Sequence, residues 1–573
     1  MNKLLRLLKY FKPYMVLVGA SIILAILVNI ADIANPYIMK VAIDDYIVGN
    51  KAASGIKLLA MLYLLAVAGG ALCNYLQVYV LNNIVQRIMN NIRMEVFSHI
   101  QKMPLKFFDR NSSGRIMTRV TNDVEALNEM YSGVLVALFK DVFMLIGIIA
   151  AMIKLNLELA LISFIAIPVI SIIAYLYNFK AKKNFRRVRA LIAQINGFFA
   201  ENISGMKLVQ IFNRQKEKYK EFEELNKEYN KASITEVILQ ALFKPSSELV
   251  NTVIIALLIW FCTSRIYGGT MEIGVLVAFA EYVKKFFGPI NDLADKYNTI
   301  LSGIIASDRI FEIIDNNEGI ENLDEGIELK EIKGEIEFKN VWFAYVDEEW
   351  VLKDVSFKVK PGETIAFVGH TGSGKSTIIN LIGRFYEIQK GEILLDGINI
   401  KDIRLRDLRR FIAVVMQDVF LFSGNIESNI RLNNQDITSE EIVNAAKYVN
   451  AYDFINELPD KMKEEVKERG CTLSSGQRQL LSFARAIAFN PSILVLDEAT
   501  ANIDTETEKI IQESLKKVSK DRTTIVIAHR LSTIKDADKI IVIHKGRIRE
   551  MGKHDELLAQ DGIYRKLYNM QYA

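Results

Sequence analysis

Cysteine is scarce in this chain of 573 residues, and a large excess of charge of either sign is missing. The three cysteines, Cys73, Cys262 and Cys471, lie far apart without the spacing of a metal site, which fits a reduced, intracellular setting for any soluble part. The net charge is only +4, so we expect no nucleic-acid partner. The N-terminal stretch Met1–Pro13 lacks a small-residue cleavage site and predicts an amphipathic helix on a membrane surface, not a signal peptide.

Hydrophobic residues are abundant instead. They make up 51% of the chain, yet 24% of the residues are charged. A chain of this length also exceeds what one hydrophobic core usually holds. The mixture therefore predicts an apolar part and a separate water-soluble part.

Six stretches approach the roughly 20 apolar residues with which a helix crosses a bilayer. Four are nearly free of charge, and they are Pro13–Ala31, Leu58–Gln86, Leu159–Phe179 and Leu249–Ser264. Two more, Ala126–Ile153 and Met271–Leu293, are interrupted by charged residues. Buried helices of soluble proteins seldom need runs this long, so we predict a membrane domain with six spans.

Basic residues set the orientation of these spans. Lys3, Arg6, Lys9 and Lys12 precede the first span, and a basic cluster from Lys180 to Arg189 follows the fourth. By the positive-inside rule both termini face the cytoplasm. The connections on that side are long and helical in character, so the spanning helices are expected to continue into the cytoplasm.

The composition changes near residue 314. Residues 315–333 are acidic, contain glycine and show no periodicity, which is typical of a linker. Residues 334–573 alternate short β-branched strands with amphipathic helices, as in an α/β domain. We therefore predict a transmembrane domain at 1–314, a linker at 315–333 and an α/β domain at 334–573.

A phosphate-binding loop is the strongest chemical signal in the α/β domain. Gly369-His-Thr-Gly-Ser-Gly-Lys375-Ser376 follows the strand-like Thr364–Val368 and precedes an apolar helical segment from Thr377. This is the strand–loop–helix context of the P-loop. Its backbone N–H groups surround phosphate oxygens, Lys375 reaches the β- and γ-phosphates, and the Ser376 hydroxyl binds Mg²⁺.

Two acidic residues follow a second buried strand. The apolar run Ile493–Leu496 ends in Asp497 and Glu498, at the carboxyl edge where parallel strands carry their functional groups. Asp497 is predicted to hold Mg²⁺, through water. Glu498 is predicted to orient and deprotonate an attacking water.

These motifs, together with Leu473-Ser474-Ser475-Gly476-Gln477, resemble the ATP-binding cassette (ABC) transporters, specifically exporter-type half-transporters. The resemblance covers essentially the whole chain. It implies a six-helix exporter membrane domain, a P-loop α/β cassette, and ATP and Mg²⁺ as cofactors. It also implies that the signature loop around Ser474 caps ATP held by the P-loop of a second subunit.

The resemblance assigns the other cassette positions one by one. Tyr345 matches the aromatic residue that stacks on adenine, and Gln417 matches the glutamine that contacts Mg²⁺. Asp504 matches the loop that crosses to the other subunit, and His529 the histidine that grips the γ-phosphate. The implied catalytic residues are Lys375, Gln417, Glu498 and His529, and the implied metal ligands are Ser376, Gln417 and Asp497. The implied nucleotide-binding residues are Tyr345, Gly369, His370, Thr371, Gly372, Ser373, Gly374, Lys375, Ser376, Thr377, Ser474, Ser475, Gly476, Gln477 and Asp504.

The resemblance also implies contacts between the two halves. It places short coupling helices near Asn111–Arg119 and near Phe212–Glu217, although solvated turns are an alternative for both. The loop Glu465–Gly470 matches the segment that touches such helices, with Lys467 where relatives have glycine. Within the spans, charged residues are costly and are substrate-contact candidates; here they are Asp32, Lys140, Asp141 and Glu248.

Two departures from the family pattern bear on the partner. Ser475 stands where most relatives have glycine, and the loop after Glu498 reads Thr500-Ala-Asn-Ile-Asp504, where serine-alanine-leucine-aspartate is commoner. Both variants resemble the subunit of heterodimeric exporters that retains the catalytic glutamate. A heterodimer with a second half-transporter is therefore favoured, and a homodimer with two equivalent sites stays open.

The predicted function is ATP-driven export of a small amphiphilic substrate, such as a drug, a lipid or a peptide-like molecule. The site would be shared between two cassettes in a bacterial-type cytoplasmic membrane, with the lipid bilayer and the small-molecule substrate as further partners. An importer built on the exporter fold and an ATP-gated channel or sensor remain alternatives. The predicted spans exclude a soluble P-loop enzyme of nucleic-acid metabolism.

Overall fold

The computed structural model describes residues 3–49, 54–316, 325–497, 505–527 and 534–572. The described chain forms two compact units. The first contains the described residues up to Gln101 together with Ser112–Asn316, and the second contains Lys102–Asn111 and the described residues from 325 onward. The predicted boundaries at 314 and 333 stay predictions. The sequence did not indicate that the short segment Lys102–Asn111 would group with the second unit.

The first unit is helical throughout. In chain order the helices up to residue 314 are α1 (Lys3–Lys9), α2 (Met15–Val41), α3 (Ser54–Gln101), α4 (Leu105–Arg110), α5 (Ser113–Thr118), α6 (Val124–Glu129), α7 (Val136–Leu155), α8 (Leu157–Phe164), α9 (Ala166–Ser204), α10 (Met206–Ile211), α11 (Gln215–Tyr267) and α12 (Ile273–Ile314), of which α4 belongs to the second unit. A 3₁₀ turn covers Lys12–Tyr14, and π-helical segments cover Ala42–Val48, Arg119–Asp123 and Met130–Leu135.

Four of the helical segments among the described residues are long and apolar enough to cross a membrane. They are Lys12–Val48, Gly55–Gln101, Leu157–Ser204 and Gln215–Tyr267, and they contain the four predicted spans of lowest charge. The two stretches that charged residues interrupt are also largely helical: the first runs from α6 into α7, and the second lies mostly within α12. The total of six membrane spans stays a prediction. The helices α3, α9 and α11 extend well beyond the predicted spans, as the long helical connections indicated.

Charged residues inside this helical unit are paired with other helices. Lys296 on α12 donates to Asp141 on α7 at 2.5 Å, and both side chains are largely buried. Lys285 on α12 contacts the Asp32 carboxylate on α2 at 3.3 Å. Lys140 donates to the Asn74 side chain on α3 at 3.2 Å. A buried charge is tolerated when it has such a partner, so these residues tie helices together.

The second unit contains the strands and the remaining helices. The strands are β1 (Ile336–Ala344), β2 (Trp350–Val359), β3 (Thr364–Val368), β4 (Lys390–Leu395), β5 (Ile398–Asn399), β6 (Ile412–Val415), β7 (Gly424–Asn425), β8 (Glu465–Val466), β9 (Ile493–Asp497), β10 (Thr523–Ile527), β11 (Lys539–His544) and β12 (Arg547–Gly552). The helices are α13 (Lys375–Ile382), α14 (Leu405–Phe411), α15 (Ile426–Arg431), α16 (Ser439–Tyr448), α17 (Tyr452–Glu457), α18 (Ser475–Ala488), α19 (Thr505–Ser519), α20 (His554–Ala559) and α21 (Ile563–Tyr572), with 3₁₀ turns at Lys461–Lys463 and Glu468–Gly470.

A six-stranded sheet in the order β12-β11-β3-β10-β9-β6 forms the centre of this unit. Strands β11, β3, β10, β9 and β6 are parallel, and β12 is antiparallel at one edge. All five residues of β10 are buried, as are four of the five in β3 and in β9. Such apolar runs are what a parallel sheet covered on both faces requires.

The remaining strands flank this sheet. An antiparallel sheet, β2-β1-β4-β5, shares an apolar core with β3 and α13 that includes Phe338, Phe357 and Phe367. The helices α15, α16 and α19 pack around α18 on the other side of the unit. The alternation of strands and helices predicted for the C-terminal part is thus present.

Thr523 joins the start of β10 to two neighbouring loops. Its hydroxyl donates to the Gly334 carbonyl at 2.8 Å and accepts from the Gly362 N–H at 3.1 Å. We expect Thr523→Val to leave both groups unpaired and to destabilise the protein by about 1–3 kcal/mol. Thermal unfolding of the full chain in detergent should show a midpoint lower by several degrees. Thr472→Val, at an exposed position, should not shift it, and equal midpoints for the two variants would contradict this account.

Candidate nucleotide-binding site

The loop after β3 has a backbone that requires glycine. Gly372 and Gly374 have φ angles of +79° and +106°, which side chains rarely tolerate. At Gly369 an added Cβ would lie 2.2 Å from the Ile543 carbonyl oxygen of β11, so the loop could not approach that strand. The turn after β11 supports the loop, because the Gly546 N–H donates to the Ser373 carbonyl at 3.2 Å. His370, Thr371 and Gly372 are exposed at its tip.

Lys375 begins α13 and is only 6% exposed. Its Nζ donates to the carbonyls of Gly369 at 2.7 Å and His370 at 3.2 Å, so the ammonium is held beside the loop. The Ser373 Oγ is buried and has no hydrogen-bond partner among the described residues. An ammonium, a polar hydroxyl and the N-terminus of a helix converge here, and such a group of donors binds phosphate.

Asp497 ends β9 and meets the P-loop helix. Burial raises the pKa of its carboxyl, while the nearby Lys375 ammonium and a hydrogen bond with Ser376 lower the same pKa. The carboxylate and the Ser376 hydroxyl are therefore neighbours. Oxygen donors of this kind are the ligands that Mg²⁺ prefers, and the two residues fit a magnesium site beside bound phosphates.

The parallel sheet brings the ends of β3, β10 and β9, and Gln417 after β6, to the same edge. Ile527 at the end of β10 is in register with Phe367 of β3 and with Asp497 of β9. Gln417 follows β6 by two residues and is exposed at this edge. The residues Glu498, Asp504 and His529 lie outside the described residues, so their roles stay predictions.

Tyr345 lies beside the P-loop helix. Its hydroxyl donates to the Thr377 Oγ1 at 3.2 Å. Its ring makes edge-to-face contacts with Phe343 and Tyr386, with centroids 4.8 Å and 5.0 Å away. The ring is 37% exposed, so one part of it is free to contact a flat ligand next to the loop.

The predicted signature loop forms the start of α18. The Ser474 Oγ accepts from the Gln477 N–H at 3.1 Å, and the Gln477 Oε1 accepts from the Ser474 N–H at 2.9 Å. This capping box fixes the first turn, whose remaining N–H groups favour an anion. Ser475 occupies the first helical position, where serine causes no backbone strain, and Gly476 is buried. The loop is therefore ordered by its own side chains.

Two residues of the second unit were missed by sequence reasoning. Tyr386, four residues beyond α13, donates a hydrogen bond from its hydroxyl to Asp109 on α4, and burial, together with that carboxylate, raises the pKa of the phenol. The first coupling helix was expected near Asn111–Arg119, but the segment grouped with the strands is Lys102–Asn111. A cavity of about 440 Å³ lies between α4 and the neighbourhood of Tyr345. The aromatic pair Phe107-Phe108 in a polar connection was the available signal.

The loop Glu465–Gly470 accommodates lysine where relatives have glycine. Lys467 has an extended backbone with φ −73°, which any residue adopts, so glycine is not needed there. The left-handed residues of this loop are Arg469 at φ +56° and Gly470 at φ +64°. The loop begins in β8, which pairs with β7.

Comparisons with known proteins agree with this geometry. Residues 18–290 match the family model of the ABC transporter transmembrane region, and residues 352–501 match that of the ABC transporter. An uncharacterised ABC transporter ATP-binding protein, YknV of Bacillus subtilis, is 39% identical over 99% of this chain and 94% of its own length. A probable multidrug resistance ABC transporter protein, YheH of the same organism, is 42% identical over 89% of this chain and 77% of its own.

Two further matches extend the comparison. An ATP-dependent lipid A-core flippase of Syntrophus aciditrophicus is 35% identical over 99% of this chain and 94% of its own. A bacterial Atm1-family ABC exporter with ATP bound is 29% identical, with a TM-score of 0.80 over 97% of this chain and 98% of its own. The predicted fold class, an exporter-type membrane domain followed by a cassette, is confirmed.

Substitutions of Ser474 separate its capping role from its predicted contact with phosphate. Ser474→Ala removes the cap and should cost about 0.5–2 kcal/mol of stability. Ser474→Asp keeps a capping oxygen, so its thermal midpoint should stay near that of the wild type. Its ATPase activity should nevertheless be lost, because a carboxylate repels the γ-phosphate.

The matched control is Thr438→Ala, which removes the capping box at the start of α16. This variant should lose stability comparably to Ser474→Ala while it keeps its ATPase activity. Both quantities are measured on the full chain in detergent. Wild-type ATPase activity in Ser474→Asp would contradict the predicted contact with phosphate.

Proposed function

The chain belongs to the ABC transporter family as an exporter-type ATPase coupled to transport, and from this premise we propose that it exports a small amphiphilic substrate across a bacterial-type cytoplasmic membrane. The protein is a multi-pass membrane protein that binds ATP. Both termini are assigned to the cytoplasm by the basic residues around the spans. Relatives named for multidrug resistance and for lipid A-core flipping support an amphiphilic substrate.

The contact of Ser376 with Asp497 carries this proposal most directly. It joins the P-loop helix to the end of β9, across an intervening strand, as a Mg²⁺–phosphate site requires. Lys375 lies in the same place and supplies the compensating positive charge. Lys375, Ser376 and Asp497 together support ATP binding at this edge of the sheet.

The remaining roles follow from position. Lys375 neutralises the β- and γ-phosphate oxygens, and Tyr345 stacks on the adenine. Ser376, Asp497 and Gln417 would hold Mg²⁺, which when bound offsets phosphate charge and orients the phosphates. Glu498 orients the attacking water and accepts its proton. His529 and Asp504 complete the contacts with the γ-phosphate and with the other subunit.

A second cassette is needed to complete the site. The signature loop of one subunit caps the ATP that is held by the P-loop of the other, and ABC exporters function as dimers. Ser475 at the signature and Asn502 after Glu498 favour a heterodimer in which this chain supplies the intact Glu498. The partner would then contribute an unmodified signature. This chain's own signature would close the weaker site.

Movement of the cassettes must reach the membrane helices. The segment Lys102–Asn111 supports such coupling, because Asp109 on α4 accepts a hydrogen bond from Tyr386. Tyr386 lies within 5.0 Å of Tyr345 between ring centroids. A change at the adenine pocket therefore has a short path to α4.

Replacing the predicted catalytic base separates pumping from passive flux. Glu498→Gln should still bind ATP but should hydrolyse it about 10²- to 10⁴-fold more slowly, because no base accepts the proton of the attacking water. ATP-dependent accumulation of a fluorescent amphiphile in inside-out vesicles should disappear.

Glu513→Gln on α19 is the matched control, since Glu513 is exposed and carries the same chemical change. It should accumulate the amphiphile like the wild type. Downhill flux that persists in Glu498→Gln and depends only on ATP binding would favour an ATP-gated channel. ATP-dependent extrusion from the inside-out vesicles would favour import.

Purification of the chain by itself tests the heterodimer. Alone, it should show weak ATPase activity, because two copies of Ser475 would form both signature contacts. Ser475→Gly should raise that activity at least about tenfold, a gain of roughly 1.4 kcal/mol in transition-state stabilisation. Robust, cooperative activity of the unmodified chain would instead establish a homodimer.

A further inference from the structure

A groove lined by tyrosine rings and side-chain amides runs along α3 in the first unit. It has a volume of about 920 Å³ and lies between Tyr14, before α2, and one face of α3 from Tyr75 to Asn91. The face follows helical periodicity, because Tyr75, Tyr79, Asn82, Gln86 and Asn90 recur every three or four residues. All five side chains are exposed. The groove is therefore a continuous surface that one ligand could contact.

The opposite face of the same helix is apolar and buried. Ile84, Val85, Ile88, Met89 and Ile92 are each at most 2% exposed and pack in one core with α6 and α12. The amides and tyrosines of the groove are therefore confined to one face of an otherwise apolar helix segment.

The groove lining is unusual in its charge. Five of the ten residues that line the groove carry side-chain amides. Among these described lining residues Arg87 is charged and none is acidic. A helix face in water normally mixes Glu and Lys, and a face in lipid is apolar. Arg87 is partly occupied already, since its Nε donates to the Asn83 side chain at 2.9 Å. The lining offers neutral donors and acceptors and disfavours cations.

The groove is also amphipathic along its length. Tyr75, Val78 and Tyr79 form one end, with the two tyrosine rings stacked at 6.5 Å, and amides form the other. From Tyr75 to Asn91 the helix rises about 24 Å. The predicted span ends at Gln86, so Tyr75 and Tyr79 lie within it, while Asn90 and Asn91 lie beyond its end. Aromatic rings suit the boundary at which a span ends.

We propose that this groove binds the headgroup of an uncharged, hydrogen-bonding amphiphile, such as one with a sugar headgroup, with its tail toward Tyr75. The inference rests on the proposed export function and narrows its substrate class. Amides supply both donors and acceptors for hydroxyl groups, and the tyrosine faces pack against a sugar ring or the first part of the tail. A quaternary ammonium headgroup has no hydrogen-bond donor or acceptor, and the positive charge of Arg87 repels it.

Two amphiphiles with the same dodecyl chain test the headgroup preference. Tritiated dodecyl maltoside and dodecyltrimethylammonium are bound, without ATP, to the full transporter in nanodiscs. The wild type should bind the maltoside at least about tenfold more tightly. Gln86→Ala/Asn90→Ala removes two hydrogen-bonding groups and should weaken maltoside binding about tenfold, while binding of the ammonium amphiphile stays the same.

The matched control is Asn226→Ala/Asn230→Ala, two exposed amides with the same spacing on α11, and it should bind both amphiphiles like the wild type. Arg87→Glu gives a second test, because it should strengthen binding of the ammonium amphiphile severalfold. Equal wild-type affinities for the two headgroups would overturn the proposal. Unchanged maltoside binding in Gln86→Ala/Asn90→Ala would also overturn the proposal. A variant that loses subunit association without a change in headgroup preference would overturn it too, because that result would identify this face as a subunit interface.

Binding is measured without ATP so that the outcome is independent of pumping. In a Glu498→Gln background the headgroup preference should be unchanged. A transporter that shows the preference but no ATP-dependent accumulation would refute the export function alone. One that accumulates amphiphiles without the preference would refute this inference alone.

Discussion

The parallel strands of the cassette end at one edge, and the nucleotide chemistry depends on that constraint. In register, Phe367, Ile527 and Asp497 bring the ends of β3, β10 and β9 to the same level. Side chains that leave these strands have little choice of direction, because the strands themselves are buried on both faces. The same burial that aligns them raises the pKa of Asp497, and Lys375 opposes that rise. The site is thus held by the apolar core beneath it.

The signature helix follows a different rule. It is positioned by its own capping box and by its packing against α15, α16, α19 and strand β6. A first turn that is ordered in advance loses little entropy when it meets an anion. Such a preformed turn is useful only if a second P-loop presents phosphate to it. ABC exporters function as dimers, and in the proposed site the second subunit presents phosphate to this turn.

Motifs made of neighbouring residues could be recognised in the sequence, whereas contacts between distant parts of the chain could not. The P-loop was recognisable because its glycines, lysine and strand–helix context lie within about a dozen residues of one another. The sequence could not reveal that β10 lies between β3 and β9, because crossover order is a property of the whole sheet. Asp109 and Tyr386 are 277 residues apart, and each alone looks like a surface residue. Asp141 was recognised as an exception, but its partner Lys296 lies 155 residues away.

The membrane unit has to reconcile charge with an apolar surrounding. Removing one partner from a buried ion pair costs about 3–5 kcal/mol, because the other charge is left unpaired. Asp141 and Lys296 form such a pair between α7 and α12. By contrast, the exposed amides of α3 form hydrogen bonds without an ion pair, since the Gln86 Nε2 donates to the Asn128 side chain at 3.3 Å and the Asn83 side chain accepts from Arg87 at 2.9 Å. Their remaining polar atoms cost free energy in an apolar surrounding unless water or a ligand satisfies them. The helix bundle therefore separates charges that fix its packing from neutral polar groups that are available to a ligand.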